Sequence, residues 1–386
     1  MTNARRLIFY RTIAIDDNAR SGSGLRPARL LQAFRMLGYE VDVVAGPAAE
    51  RKLAIAEVKR KVESGTAYDF LYAEPPTAPI LVNESHHLPT HPLLDYELLR
   101  FSRSHDIPVL LFYCDVQWRL PDYPRRIGWI KYAYVLPFFY LDLAVYRRVV
   151  DVLLVPDRGM LPQIPGWPAS KPVAVSIPGY DPAEQPAPRL PKPEGAPLRL
   201  FYVGGIEHPV YDLSPLLEGV AWSRGHGLDV ELTICTREPE WLRRPREYDR
   251  HMGPHVRVVH NRTRQELLDL YATHDIAVMP YGTVNSDWAM PIKFPEAIGL
   301  EVPVLAGGGT AVARMVAEQG IGWEVGPRVE DLHRVLSTID GAELERVRAA
   351  VIQARPAYSW TGRAAEIASI ADQVKRRPAE SVARPA

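Results

Sequence analysis

Residues 275–309 read DIAVMPYGTVNSDWAMPIKFPEAIGLEVPVLAGGG. DIAVMPY is a short apolar run suited to a buried strand ending at Tyr281, and a polar loop follows it. FPEAIGL then reads as a helix, with Pro295 at its first position, where a missing N–H costs nothing. VPVLAGGG is a second buried strand. Strand, loop, helix and strand in this order make a parallel βαβ unit, whose functional loops lie at the carboxyl ends of its strands.

The same pattern extends upstream: LRLFYVGGI (198–206, strand and glycine turn), a helix near 212–223, LDVELTICT (228–236) and VRVVHN (256–261) as strands, and TRQELLDLYATH (263–274) as a helix. It is preceded by DPAEQPAPRLPKPEGAP (181–197), whose six prolines and lack of apolar periodicity read as a semi-rigid linker. Before the linker, strand and helix alternate again. RRLIFYRTIAI (5–15), YEVDVVAG (39–46), YDFLYAEP (68–75), PVLLFYCDV (108–116), VVDVLLVPD (149–157) and KPVAVSIPG (171–179) are strands, with helices at 25–38, near 49–63 and at 93–107. Apolar runs alternating with helices indicate parallel sheets covered on both faces.

The expected architecture is therefore α/β of the GT-B type: two Rossmann-like domains facing a cleft, with a C-terminal helix crossing back. The expected divisions are an N-terminal Rossmann-like domain at 1–180, the linker at 181–197, a C-terminal Rossmann-like domain at 198–355, the crossing helix at 356–376 and a disordered tail at 377–386.

The chain has 386 residues, with 46 Lys+Arg against 46 Asp+Glu, and is 47% hydrophobic. This profile is that of a globular protein with a sizeable core, and its bulk charge gives no reason to expect a nucleic-acid partner. Two cysteines, Cys114 and Cys235, are too few for a disulfide framework and too far apart for structural zinc. The start of the chain lacks the apolar run of a signal peptide, so a cytoplasmic location is expected. The stretch 127–148, IGWIKYAYVLPFFYLDLAVYRR, is interrupted by Lys131, Pro137 and Asp142 and is read as an apolar helix pair with basic ends, not as a membrane span. Its aromatics and flanking arginines leave two readings open, a buried domain helix and a peripheral contact with the inner face of a membrane through residues 119–148.

Candidate chemistry gathers at strand ends. SGSGLR (21–26) places Gly22 and Gly24 before a helix, where backbone N–H groups suit a phosphate, but without the third glycine and the ribose-reading acid of a dinucleotide fingerprint. Gly204 and Gly205 follow a strand in the same way. Lys293 and Glu296 at the start of the FPEAIGL helix make a diphosphate contact and a carboxylate able to accept from two vicinal ribose hydroxyls. Asp115 ends a buried strand, with Trp118 close behind. His86, His87 and His91 have no carboxylate arrangement suited to zinc and are read as acceptor-side groups.

MPIKFPEAIGLEVPVLA (290–306), with the preceding DIAVMPY, resembles the donor-binding segment of retaining GT-B glycosyltransferases of the large sucrose-synthase-like group (family 4-like). VVHNRTRQELLDLYATHDIAVMPY (258–281) and SIPGYD (176–181) are similar to other stretches of that group. LVNESHHLPTHPLLDYELLRF (81–101) with IPVLLFYCDVQWRLPDY (107–123) looks like a subset of the bacterial cell-surface polysaccharide type.

The resemblance implies transfer of a sugar from a nucleotide-diphosphate sugar to a hydroxyl of a saccharide or lipid-linked saccharide, with retained configuration and no metal or other cofactor. Taken with the reading of the residues themselves, it makes Asp115 and Lys293 the expected catalytic groups. Gly22, Gly24, Gly204, Gly205, Arg237, Arg262, Asp287, Lys293 and Glu296 would bind the donor, and His86, His87 and Trp118 the acceptor.

Three departures stand out. Trp288 occupies the place of the first carboxylate of the group's usual pair, with Asp287 beside it. The group's basic pair would fall near Gly205 and Tyr211, so Arg237, Arg262 or Lys293 must neutralise the diphosphate. Cys114 stands where the subset tends to have arginine. Two rival readings are a non-catalytic glycosyltransferase-like subunit, motivated by these departures, and a nucleotide-sugar 2-epimerase.

Overall fold

The apolar runs form parallel strands, and those at the centre of each sheet are hydrophobic on both faces because helices cover both. In the computed structural model, which describes residues 5–17, 22–186, 188–189, 192–193, 195–206, 212–279 and 287–376, the chain divides into two units. Met1–Ile177 with Trp360–Ala386 form the first, and Pro178–Ser359 the second.

In chain order the first unit holds β1 (Arg6–Tyr10), α1 (Gly22–Met36), β2 (Glu40–Val44), α2 (Ala48–Glu63), β3 (Phe70–Ala73), α3 (Leu94–Ser104), β4 (Val109–Phe112), α4 (Tyr123–Ile127), α5 (Trp129–Val149), β5 (Val152–Val155) and β6 (Val173–Val175). Among the described residues its six strands pair in parallel in the order β2-β1-β3-β4-β5-β6. Every residue of β3, β4 and β5 is buried, as a doubly covered sheet requires.

The helix pair expected over 127–148 is a short α4 and a long α5. They divide at Gly128, which takes φ 90°, and α5 then runs for 21 residues through Pro137. Among the described residues, no helix is long and apolar enough to cross a membrane. Gly22 and Gly24 lie in the first turn of α1, where a loop was expected.

The second unit holds β7 (Leu198–Val203), α6 (Ser214–Gly225), β8 (Val230–Thr236), α7 (Glu238–Leu242), β9 (Val256–His260), α8 (Arg264–Thr273), β10 (Ile276–Met279), α9 (Lys293–Gly299), β11 (Val304–Gly307), α10 (Ala311–Gln319), β12 (Gly322–Val325), α11 (Val329–Leu336) and α12 (Gly341–Tyr358). Its described strands pair in parallel as β12-β11-β10-β7-β8-β9. The start of α8 is fixed by a capping box between Thr263 and Glu266.

Helix α9 begins two residues before Pro295. The proline is thus the third helical residue, still among those whose N–H has no intrahelical partner. Strand β12, absent from the sequence reading, is short and opens on Gly322, which lies opposite Val304 of β11. A Cβ at Gly322 would meet the Val304 carbonyl oxygen at 1.9 Å, so only glycine lets this edge strand pair.

Residues of the proline-rich stretch are tied to the second unit. Arg189 donates to the carbonyls of Tyr271 and His274 at 2.7 and 2.6 Å, and Lys192 pairs with Asp275 at 2.8 Å. The last helix, α13 (Trp360–Arg376), belongs to the first unit, where it packs on α1. Arg5 pairs with Asp372 at 3.3 Å, and Lys375 reaches the Tyr68 carbonyl and Asp69, each at 3.1 Å. Tyr211, Tyr281 and the tail 377–386 lie outside the described residues.

Candidate functional site

In the second unit the chain runs from β7 through β8 to β9 on one side, then crosses to β10, β11 and β12 on the other. The seam between β7 and β10 is the point where strand order reverses, the usual ligand position of an open α/β sheet. Gly204 follows β7 there. Lys293, the first residue of α9, brings its ammonium alongside: a Cβ at Gly204 would lie 2.6 Å from Lys293 Nζ and 2.8 Å from the Tyr202 hydroxyl. The ammonium therefore lies at the end of β7, against Gly204. Gly204 N–H donates to the Cys235 carbonyl at 3.0 Å, and the Gly205 carbonyl accepts from the Tyr202 hydroxyl.

Among the described residues, no hydrogen bond or ion pair reaches the Lys293 ammonium. Burial holds its pKa below the ordinary lysine value, with the Glu296 carboxylate opposing the shift and Arg237 adding to it. The Cys235 thiol at the end of β8 lies in the field of both Lys293 and Arg262, although burial raises its pKa overall. Lys293, Arg237 and Arg262 thus surround one end of the sheet. The two arginines are braced by carboxylates of their own, Arg237 to Glu240 at 2.9 Å and Arg262 to Glu266 at 2.8 Å.

Glu296 is braced more tightly. One carboxylate oxygen accepts from Arg264 and the other from the Tyr271 hydroxyl at 3.3 Å. Arg264 also holds Glu184 of the proline-rich stretch, with Nε donating at 2.6 Å. Burial works against the Arg264 charge, but two carboxylates outweigh it and its pKa is raised. Arg264, Tyr271 and Glu184 escape a sequence reading because their contacts with Glu296 and with one another are long-range; the only local hint is that Arg264 and Tyr271 lie seven apart on α8. Asp287 offers its backbone carbonyl to Arg314, and no contact joins its carboxylate to Lys293 or Glu296. Neighbouring Trp288 is buried, and among the described residues its enclosed indole N–H meets no hydrogen-bond acceptor.

In the first unit Asp115 lies three residues beyond β4. It accepts from the Thr77 hydroxyl at 2.8 Å and from the Gln117 N–H at 3.1 Å. Burial raises its pKa, and these hydrogen bonds resist the shift. Burial also pushes the neighbouring Cys114 thiol up to about 12, so it stays protonated and inert at neutral pH.

Trp118 is enclosed within the first unit. Its side chain is 1% exposed, stacks on Phe139 with centroids 4.7 Å apart, and spends its indole N–H on the Tyr113 hydroxyl at 3.0 Å. The acceptor contact expected of it is therefore replaced by a role in the core. His86 and His87 are exposed; His86 accepts from the Leu88 N–H, and His87 bonds the Val82 carbonyl, each at 3.0 Å. His91 bonds Thr90. Among the described residues, no group of three or more His, Cys, Asp or Glu side chains is placed to hold a metal ion.

Residues 197–339 match the family model described as Glycosyl transferases group 1. No curated protein matches the sequence. Similar solved structures include sucrose-phosphate synthase (tll1590) from Thermosynechococcus elongatus, at 14% identity and TM-score 0.57 over 96% of this chain and 99% of that one. Anabaena Alr3699/HepE in complex with UDP-glucose aligns at 12% identity and TM-score 0.59, over 95% and 99%. WaaG, a glycosyltransferase involved in lipopolysaccharide biosynthesis, aligns at 14% and 0.52, over 95% and 98%. The chain thus has the GT-B fold, and the stretch 197–339, which carries Lys293 and Glu296, matches the group 1 glycosyltransferases.

Proposed function

We propose that this protein transfers a sugar from a nucleotide-diphosphate sugar to a hydroxyl of a saccharide or lipid-linked saccharide, with retention at the anomeric carbon. The observation that carries the reading is the Lys293 ammonium, desolvated and unpartnered beside a glycine at the β7–β10 reversal. Lys293 is half-buried, and its ammonium is open to a ligand that supplies a counter-charge, as a diphosphate does. As the bond to the sugar breaks, charge grows on the leaving diphosphate. Lys293, with Arg237 and Arg262 in the same field, stabilises it without reorganising. Glu296 receives the ribose. A carboxylate offers about four acceptor positions, and Arg264 and Tyr271 occupy two, so the remainder can take vicinal hydroxyls while the ring is held in register. The match over 197–339 and the UDP-glucose bound to HepE support this donor class.

The acceptor reading extends to a lipid surface. Near its start α5 exposes Trp129 (65%) and Ile130 (90%), flanked by Arg125, Arg126 and Lys131, a combination that suits an anionic interface. The rival non-catalytic reading is favoured by buried Trp288, which stands where the group has a carboxylate.

A thermal-shift panel of UDP, GDP, ADP and TDP against wild type, Lys293→Ala and Glu296→Ala tests the assignment. A nucleotide at 100 times its Kd adds about 2.7 kcal/mol, a rise of several degrees. We expect one nucleotide to stabilise the wild type, with the shift lost in Lys293→Ala and reduced in Glu296→Ala. Equal shifts in all three proteins would remove both residues from the site. Nucleotide binding without sugar transfer or donor hydrolysis would move the non-catalytic reading ahead.

A further inference from the structure

The first unit has its own strand-order reversal, between β1 and β3, and charged side chains fill it. Arg11 follows β1 directly and Glu74 follows β3. Arg26 of α1 reaches across the strand ends. Its Nη1 donates to the Tyr72 hydroxyl at 2.7 Å and to Glu74, its Nη2 donates to Ser176 Oγ at 2.8 Å, and its guanidinium lies 3.6 Å from the centroid of the Phe112 ring. The Glu74 oxygen that takes Arg26 also accepts from Tyr72 at 2.6 Å. Arg26 and Glu74 therefore neutralise each other.

Arg11 is left over. It is 5% exposed, and its nearest carboxylate oxygen, on Glu74, is 3.8 Å from Nη1, too far for a hydrogen bond. Its Nε is enclosed without an acceptor, and among the described residues its guanidinium makes no hydrogen bond. Two arginines against one carboxylate leave one positive charge in a buried cluster. A guanidinium carries five N–H donors and stays charged at any physiological pH. Burial acts against this charge, and Glu74 offsets it only in part. A structural arginine paired only at 3.8 Å in such a place is unfavourable, and an oxyanion offering two oxygens would satisfy both its charge and its fork of donors.

We propose that Arg11, seated on the Arg26–Glu74 pair, binds one oxyanion, a carboxylate or a phosphate monoester, of a ligand of the first unit. Where the glycosyltransferase reading holds, that ligand is the acceptor, which is then an acidic saccharide or a sugar phosphate, because Lys293 and Glu296, the side chains assigned to the donor, belong to the second unit.

The test needs no sugar transfer. Melting of the full chain is followed at constant ionic strength with inorganic phosphate, with glucuronate and with neutral glucose. The proteins are wild type, Arg11→Met, Arg11→Lys and Lys293→Ala. We expect phosphate or glucuronate to raise the wild-type Tm by about 3 °C or more near saturation, and glucose to leave it unchanged. The more effective of the two anions identifies the acid. Lys293→Ala should keep the shift, which separates this site from the donor site. Arg11→Met should lose the shift and, in the absence of anion, melt no lower than wild type, because the pair it leaves is balanced. Arg11→Lys should keep a smaller shift, since it retains the charge without the fork. The proposal is overturned if neither anion stabilises the wild type or if Arg11→Met keeps the full shift. It is equally overturned if Arg11→Met without ligand melts several degrees below wild type, which would make Arg11 a structural partner of Glu74. Loss of the shift in Lys293→Ala would assign the anion to the second unit.

Discussion

Asp142 shows how a single carboxyl can set a pH response. It sits in the middle of α5, fully enclosed, accepting from the Ile80 N–H at 3.0 Å and from the Tyr96 hydroxyl. Burial raises its pKa to about 7, against hydrogen bonds that lower it. The native state therefore holds a proton that the unfolded chain releases near pH 4. Stability from this group is complete below about pH 4 and is lost as pH rises through 7. Asp142→Asn keeps the shape and an acceptor for Ile80 and removes the ionisation. Its Tm relative to wild type should climb between pH 5 and 8, by the equivalent of a few kcal/mol at the upper end. A constant difference across that range would mean that Asp142 is ionised throughout. Lys293 and Glu296 were legible from sequence because they flank a helix start between two strands. The bracing by Arg264 and Tyr271 was not, since it depends on how α8 packs beside α9. Arg11 and Glu74 each directly follow an apolar strand, a signal that was open to reading and passed over.

Among the elements, α5 carries the clearest unexplained face. Phe139, Leu143 and Tyr146 bury one side, while Trp129, Ile130, Tyr134 and Leu141 remain exposed. The sequence supplied both the apolar character and the basic ends of this segment. It did not reveal that the break comes at Gly128, because a positive φ at glycine leaves no periodic signature. If α5 rests on lipid, Trp129→Ser with Ile130→Ser should cut sedimentation with vesicles containing anionic phospholipid several-fold, with nucleotide-induced thermal shifts unchanged. Equal sedimentation of wild type and the double variant would leave α5 with no lipid role. Strand β12 was missed for a different reason. Four residues opening on glycine look like a turn until Val304 is seen opposite Gly322.

For the whole molecule, the alternation of strands and helices was enough to indicate two Rossmann-like sheets, because parallel strands buried on both faces leave an almost unbroken apolar record. The return of the last helix was expected from the same strand–helix outline. Helix α13 packs along α1 and is pinned through Asp372 and Lys375 to the start of β1 and the turn before β3. Removal of residues 360–386 should uncover buried Trp360, Ala364, Ile367 and Ala371 contacts and lower the melting transition of the first unit. Protease resistance of the second unit should be retained. An unaltered melting profile would show that α13 is dispensable.

The position of α13 also sets a schedule for the ribosome. The first unit is nearly all synthesised by Ile177, yet its closing helix starts at Trp360, after the entire second unit. At about 5–20 residues per second, the strip along α1 waits on the order of ten to forty seconds for its cover. During that interval the face of α1 that α13 covers stays open to water, and the first unit gains its last packed layer only after the second has been made.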